Sequence, residues 1–177
     1  MVYSAEYRSP LGVLTLVCDE TETALAGLWL EGQKYFLGGL AELPPRGEPP
    51  IFQQVRNWLD RYFAGDKPAS GELPLSPEGS EFQRAVWAEL ERIPYGTTAT
   101  YGGLAAALAK RGRPTSARAV GSAVGRNPIS IVIPCHRVVG ADGSLTGYAG
   151  GVARKEWLLR HEGALCTGHG TGGGKIR

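Results

Sequence analysis

The sequence predicts a mixed α/β fold of the α+β kind: a small antiparallel sheet with one covering helix, then a mostly helical second half. Three observations lead there. Apolar and polar residues alternate through residue 30, with Gly and Pro between the runs. From Ile51 the apolar residues recur at helical spacing, and beyond a Gly/Pro/Ser-rich stretch at residues 65–79 most of the remaining patterning is helical. A chain of 177 residues, 42% hydrophobic and 20% charged, has the composition of an ordinary globular protein and can bury a sizeable core.

In order along the chain, "VYSAEYRSPLGVLTLVCDETETALAGLWL" reads as three short antiparallel strands, with Cys18 packed in the second. Ile51, Val55, Trp58, Leu59, Tyr62 and Phe63 then mark one face of a helix that covers the sheet, and Gly65 stands where a C-terminal cap belongs. "GDKPASGELPLSPEG" reads as a linker or long crossover loop. The boundary falls near it, giving a first domain at 1–78, a second at 79–165 and a tail at 166–177.

Ser80 and Gln83 form a capping-box signature for a core helix carrying Phe82, Val86, Trp87 and Leu90. Thr100 can cap a helix from Tyr101 to about Lys110, "RGRPT" breaks it, and a second helix runs from about Ser116 to Arg126. Two short helices joined by a tight basic turn resemble a helix-turn-helix. Ala117, Ala119, Gly121, Ser122 and Ala123 make the second helix small-sided, and Arg118 and Arg126 could reach phosphates or bases from it. Two core helices with a small-residue contact face fit the same pattern. Next, Ile129 to Ile133 read as a buried strand, "GADGSLTGYAGG" as a turn-rich loop, and about Ala153 to Glu162 as a final helix stopped by Gly163. The closing "ALCTGHGTGGGKIR" reads as disordered.

Charge is uneven. Residues 1–100 carry 8 Lys/Arg against 14 Asp/Glu, whereas residues 101–160 carry 9 against 2. A basic second half suits a nucleic-acid-facing domain, and equally a merely solvated face. Three cysteines at wide spacing suggest neither a disulfide framework nor a zinc site, which points to a reducing, cytoplasmic setting. Cys166 and His169 in the tail make a poor metal site, and no metal is expected. The amino terminus lacks signal-peptide character, and no stretch has the roughly 18 apolar residues of a membrane span.

The stretch "IVIPCHRVVG" carries the candidate chemistry. A nucleophilic cysteine needs its thiolate favoured by a base or a positive environment. Pro134 forces the chain out of the strand just before Cys135. On an extended backbone, however, His136 would point to the opposite face, so either the chain turns there or something bridges the two side chains.

"PCHRV", preceded by "GRNPISIVI" and followed by "GYAGGVARKEWLLRHEG", resembles the active-site region of the O6-alkylguanine-DNA alkyltransferases, in the bacterial single-protein form. These proteins take an alkyl group from damaged guanine onto their own cysteine. The resemblance runs from about Ser80 to Gly163. It implies a ribonuclease H-like first domain and a winged-helix-like helix-turn-helix in the second. It further implies that Cys135 accepts the alkyl group and that His136 acts as its base through a bridging water. Glu162, 27 positions after the cysteine, would orient that histidine. Asn127 would brace the turn, and Tyr101 would donate to the damaged base. Arg118 would take the place of the extruded nucleotide, with Thr100, Ala119, Gly121 and Ser122 against the minor groove. Tyr148 and Ala149 would line the alkyl pocket, and Lys155 would support the active-site loop.

The implied reaction is direct-reversal repair: one irreversible transfer per molecule from O6-alkylguanine in double-stranded DNA, with O4-alkylthymine a second candidate. It needs no cofactor and a monomer suffices, with room for cooperative assembly on DNA. Three other readings compete. Alkyltransferase-like binding proteins replace the cysteine, a thiol hydrolase would turn over repeatedly, and a plain helix-turn-helix regulator leaves "PCHR" unexplained.

Overall fold

A computed structural model describes residues 1–145 and 147–165; the tail with Cys166 and His169 lies outside the described residues. The chain divides into two compact units, one of Met1–Glu78 with Pro128–Val132, the other of Gly79–Asn127 with the residues from Ile133 onward.

In the first unit, β1 (Ser4–Ser9), β2 (Gly12–Cys18) and β3 (Leu25–Leu30) form an antiparallel sheet in chain order, with Ala5 opposite Leu16 and Leu16 opposite Leu28. The alternation seen in the sequence does not survive in β2, which is buried on both faces from Leu14 to Cys18. Helix α1 (Pro50–Phe63) begins on a proline, whose fixed φ and missing N–H suit the first helical turn. It lays Ile51, Phe52, Val55, Trp58, Leu59 and Tyr62 against the strands, and Gly65 at φ 98° ends it.

The sheet leaves neither edge bare. Residue Ser4 of β1 pairs with the 45–47 segment through Ser4 N–H to Pro45 O and Gly47 N–H to Ser4 O. On β3, Leu25 bonds to Pro74 and Ser76, so of the two readings of this stretch, linker or long crossover loop, the structure has the loop, and it covers this edge. Its ordering is completed by a 3-10 turn at Ser70–Glu72 and by Trp58 Nε1 donating to Ala69 O at 2.8 Å. Farther along β3, Leu28 N–H donates to Pro128 O at 2.8 Å and Leu28 O accepts from Ser130 N–H at 2.9 Å. Residues 128–132 therefore belong to this edge.

That attachment corrects the expected strand at Ile129–Ile133. All five residues are buried, but only Ile129 makes a β-bridge, to Leu28. Val132 N–H turns back to Ser130 O at 2.8 Å, a γ-turn with Ile131 at its centre and φ 71°. A β-branched residue there is strained by about 1–3 kcal/mol.

In the second unit, α2 (Glu81–Leu90) starts with the full capping box: Ser80 Oγ accepts from Gln83 N–H at 3.1 Å and Gln83 Oε1 from Ser80 N–H at 3.0 Å. Helices α3 (Tyr101–Lys110) and α4 (Ala117–Gly125) pack against each other and on α2, and Trp87 Nε1 donates to Ala123 O at 2.8 Å. The basic turn between α3 and α4 is partly neutralised, because Arg111 pairs with Glu89 and Arg113 with Glu81 on α2. Two elements absent from the expectation, β4 (Ala99–Thr100) and β5 (Val138–Val139), pair in parallel. Helix α5 (Val152–His161) closes the unit, and Ala164 and Leu165, placed in the disordered tail by the sequence, are buried with Val139 and Leu159.

Ser80→Ala should lower stability by about 1 kcal/mol. Urea unfolding checks this as a lower midpoint at unchanged m-value, and an unchanged midpoint would contradict the cap's assigned contribution.

Candidate active site

The position of Cys135 follows from the chain entering and leaving one five-residue excursion. Asn127, buried just past the end of α4, donates from Nδ2 to Ile133 O at 2.8 Å and so closes the base of the loop formed by residues 128–132. Pro134, at φ −81° and ψ 65°, then makes an inverse γ-turn, with Cys135 N–H donating to Ile133 O at 2.8 Å. A 3-10 turn at Cys135–Arg137 follows directly. The chain does turn at this point, so the extended geometry that would separate Cys135 and His136 does not apply.

Cys135 is 5% exposed as a residue. Burial pushes its pKa up, against the opposing pull of the Asn127 side chain, the Lys155 ammonium, and the backbone N–H groups of Cys135 and His136. Burial wins, so the resting group is a thiol already surrounded by donors for the thiolate. Lys155, buried in the first turn of α5, donates from Nζ to Val138 O, and burial lowers it to about 8 despite the nearby cysteine.

His136 is fully buried, with Nε2 2.7 Å from Glu162 Oε2. Glu162 caps the C-terminal end of α5 and is also gripped by Arg137, through Nε to Oε1 at 2.7 Å and Nη2 to Oε2 at 3.1 Å. Arg137 completes its bonding at Ile93 O, 2.7 Å from Nη1, and lies over the Tyr95 ring. Burial would raise the Glu162 carboxyl, but His136 and Arg137 together hold it well below the usual carboxylate range. Burial lowers the His136 pKa, only partly offset by Glu162. A neutral imidazole facing a carboxylate donates its Nε2–H, which leaves the lone pair on Nδ1, a buried atom with no hydrogen-bond partner among the described residues.

Tyr101 reaches this centre because β4 pairs with β5: Ala99 and Thr100 lie opposite Val138 and Val139, which directly follow the Cys135–Arg137 turn. Thr100 caps α3 by accepting from Gly103 N–H at 3.0 Å. The half-buried Tyr101 phenol has its pKa raised, by burial first and by Cys135 second, and stays a neutral donor. A β-carbon at Gly147 would sit 3.1 Å from the Tyr101 hydroxyl, and one at Gly121 would touch its ring at 3.6 Å. Tyr148 and Ala149 are partly buried in the loop that leads into α5. On α4, Arg118 and Ser122 are exposed one turn apart, and Ala119 and Gly121 are partly covered. The structure thus gathers Cys135, His136, Glu162, Asn127, Lys155 and Tyr101 and leaves Arg118 and Ser122 on the surface.

Arg137, Ile93 and Tyr95 are additional members that sequence reasoning missed. Arg137 sits in "PCHR", but its pairing with a residue 25 positions away depends on where α5 returns. Among the described residues, no group of three His, Cys, Asp or Glu could hold a metal ion.

Two outcomes follow. Glu162→Gln would leave the Arg137 guanidinium buried without its counter-charge, and urea unfolding should show a loss of about 3–5 kcal/mol. Because the raised pKa keeps Cys135 protonated at neutral pH, its alkylation by iodoacetamide should accelerate with rising pH through and beyond about 8.5, the ordinary thiol value. Peptide-resolved mass spectrometry measures that profile, and a plateau reached by pH 7 would show a preformed thiolate.

Comparison with known proteins places the whole arrangement. Residues 2–77 match the family profile of the 6-O-methylguanine DNA methyltransferase ribonuclease-like domain, and residues 81–164 that of its DNA-binding domain. A methylated-DNA–protein-cysteine methyltransferase from Shigella flexneri is 45% identical over 89% of this chain and 93% of its own length. One from Salmonella typhimurium is 48% identical over 89% and 93%. The crystal structure of Mycobacterium tuberculosis O6-methylguanine methyltransferase superposes with a TM-score of 0.76 at 40% identity, covering 92% of this chain and 93% of that one. The same organism's OGT in complex with DNA gives 0.76 at 39%, over 91% and 92%. With both halves matched in order and relatives well above 40% identity along nearly their full length, this chain belongs to the methylated-DNA–protein-cysteine methyltransferase family.

Proposed function

We propose that the chain is a single-use DNA repair protein that transfers the alkyl group of O6-alkylguanine in duplex DNA irreversibly onto Cys135. One observation carries this reading: a buried thiol surrounded by donors, next to a neutral histidine whose free nitrogen is fixed by a carboxylate. Family membership supplies the substrate, and the DNA complex of the related Mycobacterium tuberculosis protein supports DNA as the partner.

In this mechanism the Cys135 proton passes to Nδ1 of His136 through a bridging water, and Glu162 stabilises the imidazolium that forms. The Sγ electron pair attacks the alkyl carbon in line. A carbon–sulfur bond forms, the carbon–O6 bond breaks, and its electron pair leaves with guanine. Tyr101 donates a proton to the departing base and recovers one from the His136 side, so the thiol proton ends on guanine. Exclusion of water around the thiol favours a soft nucleophile on an sp3 carbon. The thioether product has no hydrolytic exit, so each molecule acts once.

The target carbon lies inside the base stack, so the nucleotide must be turned out. Arg118, exposed in the first turn of α4, is assigned to fill the vacated space, and Thr100, Ala119, Gly121 and Ser122 to face the minor groove. Tyr148 and Ala149 line the alkyl pocket, and Lys155 stabilises the thiolate and the loop around it. The protein acts as a monomer in the cytoplasm.

Incubation with O6-benzylguanine should add one benzyl group to Cys135, seen by intact-mass spectrometry and peptide mapping, and none to Cys135→Ala. Absence of an adduct on folded protein would sink the proposal, and continued turnover on an ester would favour a thiol hydrolase. Arg118→Ala should slow repair of O6-methylguanine in duplex DNA by about tenfold or more while leaving the free-base reaction unchanged. Equal duplex rates would remove the extrusion role from that arginine.

A further inference from the structure

Gln33 is a buried polar group that the mechanism does not use. Gln33, in the turn after β3, is buried, and its Oε1 accepts from Leu30 N–H at 2.7 Å while Nε2 donates to Lys34 O at 3.3 Å. The same Oε1 takes a second donor, the Ser130 hydroxyl at 3.2 Å. Ser130 is the residue from which the γ-turn over Ile131 springs, since its carbonyl accepts from Val132 N–H at 2.8 Å. Ile131 is held there at φ 71°, a conformation that a β-branched residue leaves unless its surroundings over-determine it.

Bonds that contribute to that determination include the two between β3 residue Leu28 and the chain at Pro128 and Ser130, and the one from the Ser130 hydroxyl to the Gln33 side-chain oxygen. Two residues beyond Ile131, Ile133 O accepts from both Asn127 Nδ2 and Cys135 N–H, so the direction in which the first γ-turn releases the chain sets where the second begins. The thiol's backbone donors, the N–H groups of Cys135 and His136, follow from that turn.

We propose that Gln33 is a positioning residue for alkyl acceptance: its carboxamide oxygen pins Ser130 and the strained turn at Ile131, and thereby fixes the turn that presents Cys135. This inference rests on the alkyl-transfer reading.

The test uses the full chain. Gln33→Met keeps the volume and removes the acceptor, whereas Gln33→Glu keeps acceptor oxygens. Transfer from O6-benzylguanine to Cys135 is timed where circular dichroism shows each protein folded. Gln33→Met should be slower by about tenfold to a hundredfold, and Gln33→Glu should recover most of the loss. The pH profile of Cys135 alkylation by iodoacetamide should also move to higher pH in Gln33→Met, a change that mere loss of stability would not produce. Ser130→Ala should slow transfer in the same direction, and the double variant should be no slower than Gln33→Met alone. A wild-type rate and pH profile in folded Gln33→Met, or a Gln33→Glu as slow as Gln33→Met, would overturn the proposal. If Gln33→Met does not fold, an unchanged rate in Ser130→Ala overturns it instead. Wild-type protein that takes no benzyl group would defeat the alkyl-transfer reading, while the iodoacetamide profiles would still report on the turn.

Discussion

The Glu162 carboxylate is the interaction on which the rest of the site depends. Two cationic or potentially cationic neighbours, Arg137 and His136, share its two oxygens, and all three side chains are buried. A lone buried carboxylate would be protonated rather than pay the desolvation cost. The bidentate guanidinium keeps it ionised, and an ionised Glu162 in turn fixes the histidine's hydrogen on Nε2. Because Arg137 immediately follows His136, the same short helical turn that holds Cys135 also supplies the counter-charge of Glu162. Glu162 is thereby tied to the Cys135 turn from the end of a different helix.

The backbone around this pair is organised by reversals rather than by long elements. Residues 128–132 leave the second unit's sequence to complete the edge of β3, and Asn127 closes the loop behind them. Two γ-turns then bring the chain to Cys135, and two residues of parallel pairing, β4 with β5, carry Tyr101 to it. Each of these is short, so none contributes much stability. Their effect lies in position: a thiol too buried to ionise unaided is placed among donors that favour its anion once a base removes the proton.

Much of the fold was legible in the sequence because it follows from local rules. The Ser80–Gln83 box, the Thr100 cap and the helical stripe on α1 depend on residues a few positions apart, and each appears as expected. Ile129–Ile133 misled because an apolar run signals burial without specifying extension, and here burial is met by a γ-turn clamped to β3. For the 65–79 segment, composition left a linker and a long crossover loop both open, and its backbone bonds to Leu25 decide for the loop. Within the site, Cys135 and His136 stood out by adjacency, and Glu162 only by resemblance. Arg137 was in view but unassigned, since its partner is set by tertiary return. Similarly, the basic character of the α3–α4 turn overstated its free charge, because Glu81 and Glu89 on α2 occupy Arg113 and Arg111.

The proposed mechanism requires a neutral His136 with its lone pair on Nδ1, held so by Glu162 and Arg137. Nitrogen-detected NMR of protein labelled at histidine ring nitrogens measures this directly, as tautomer and as titration. An Nε2–H tautomer for His136 with a midpoint below 6.5, the ordinary histidine value, is the predicted result, since burial lowers its pKa. An Nδ1–H tautomer, or an imidazolium already present at neutral pH, would contradict it.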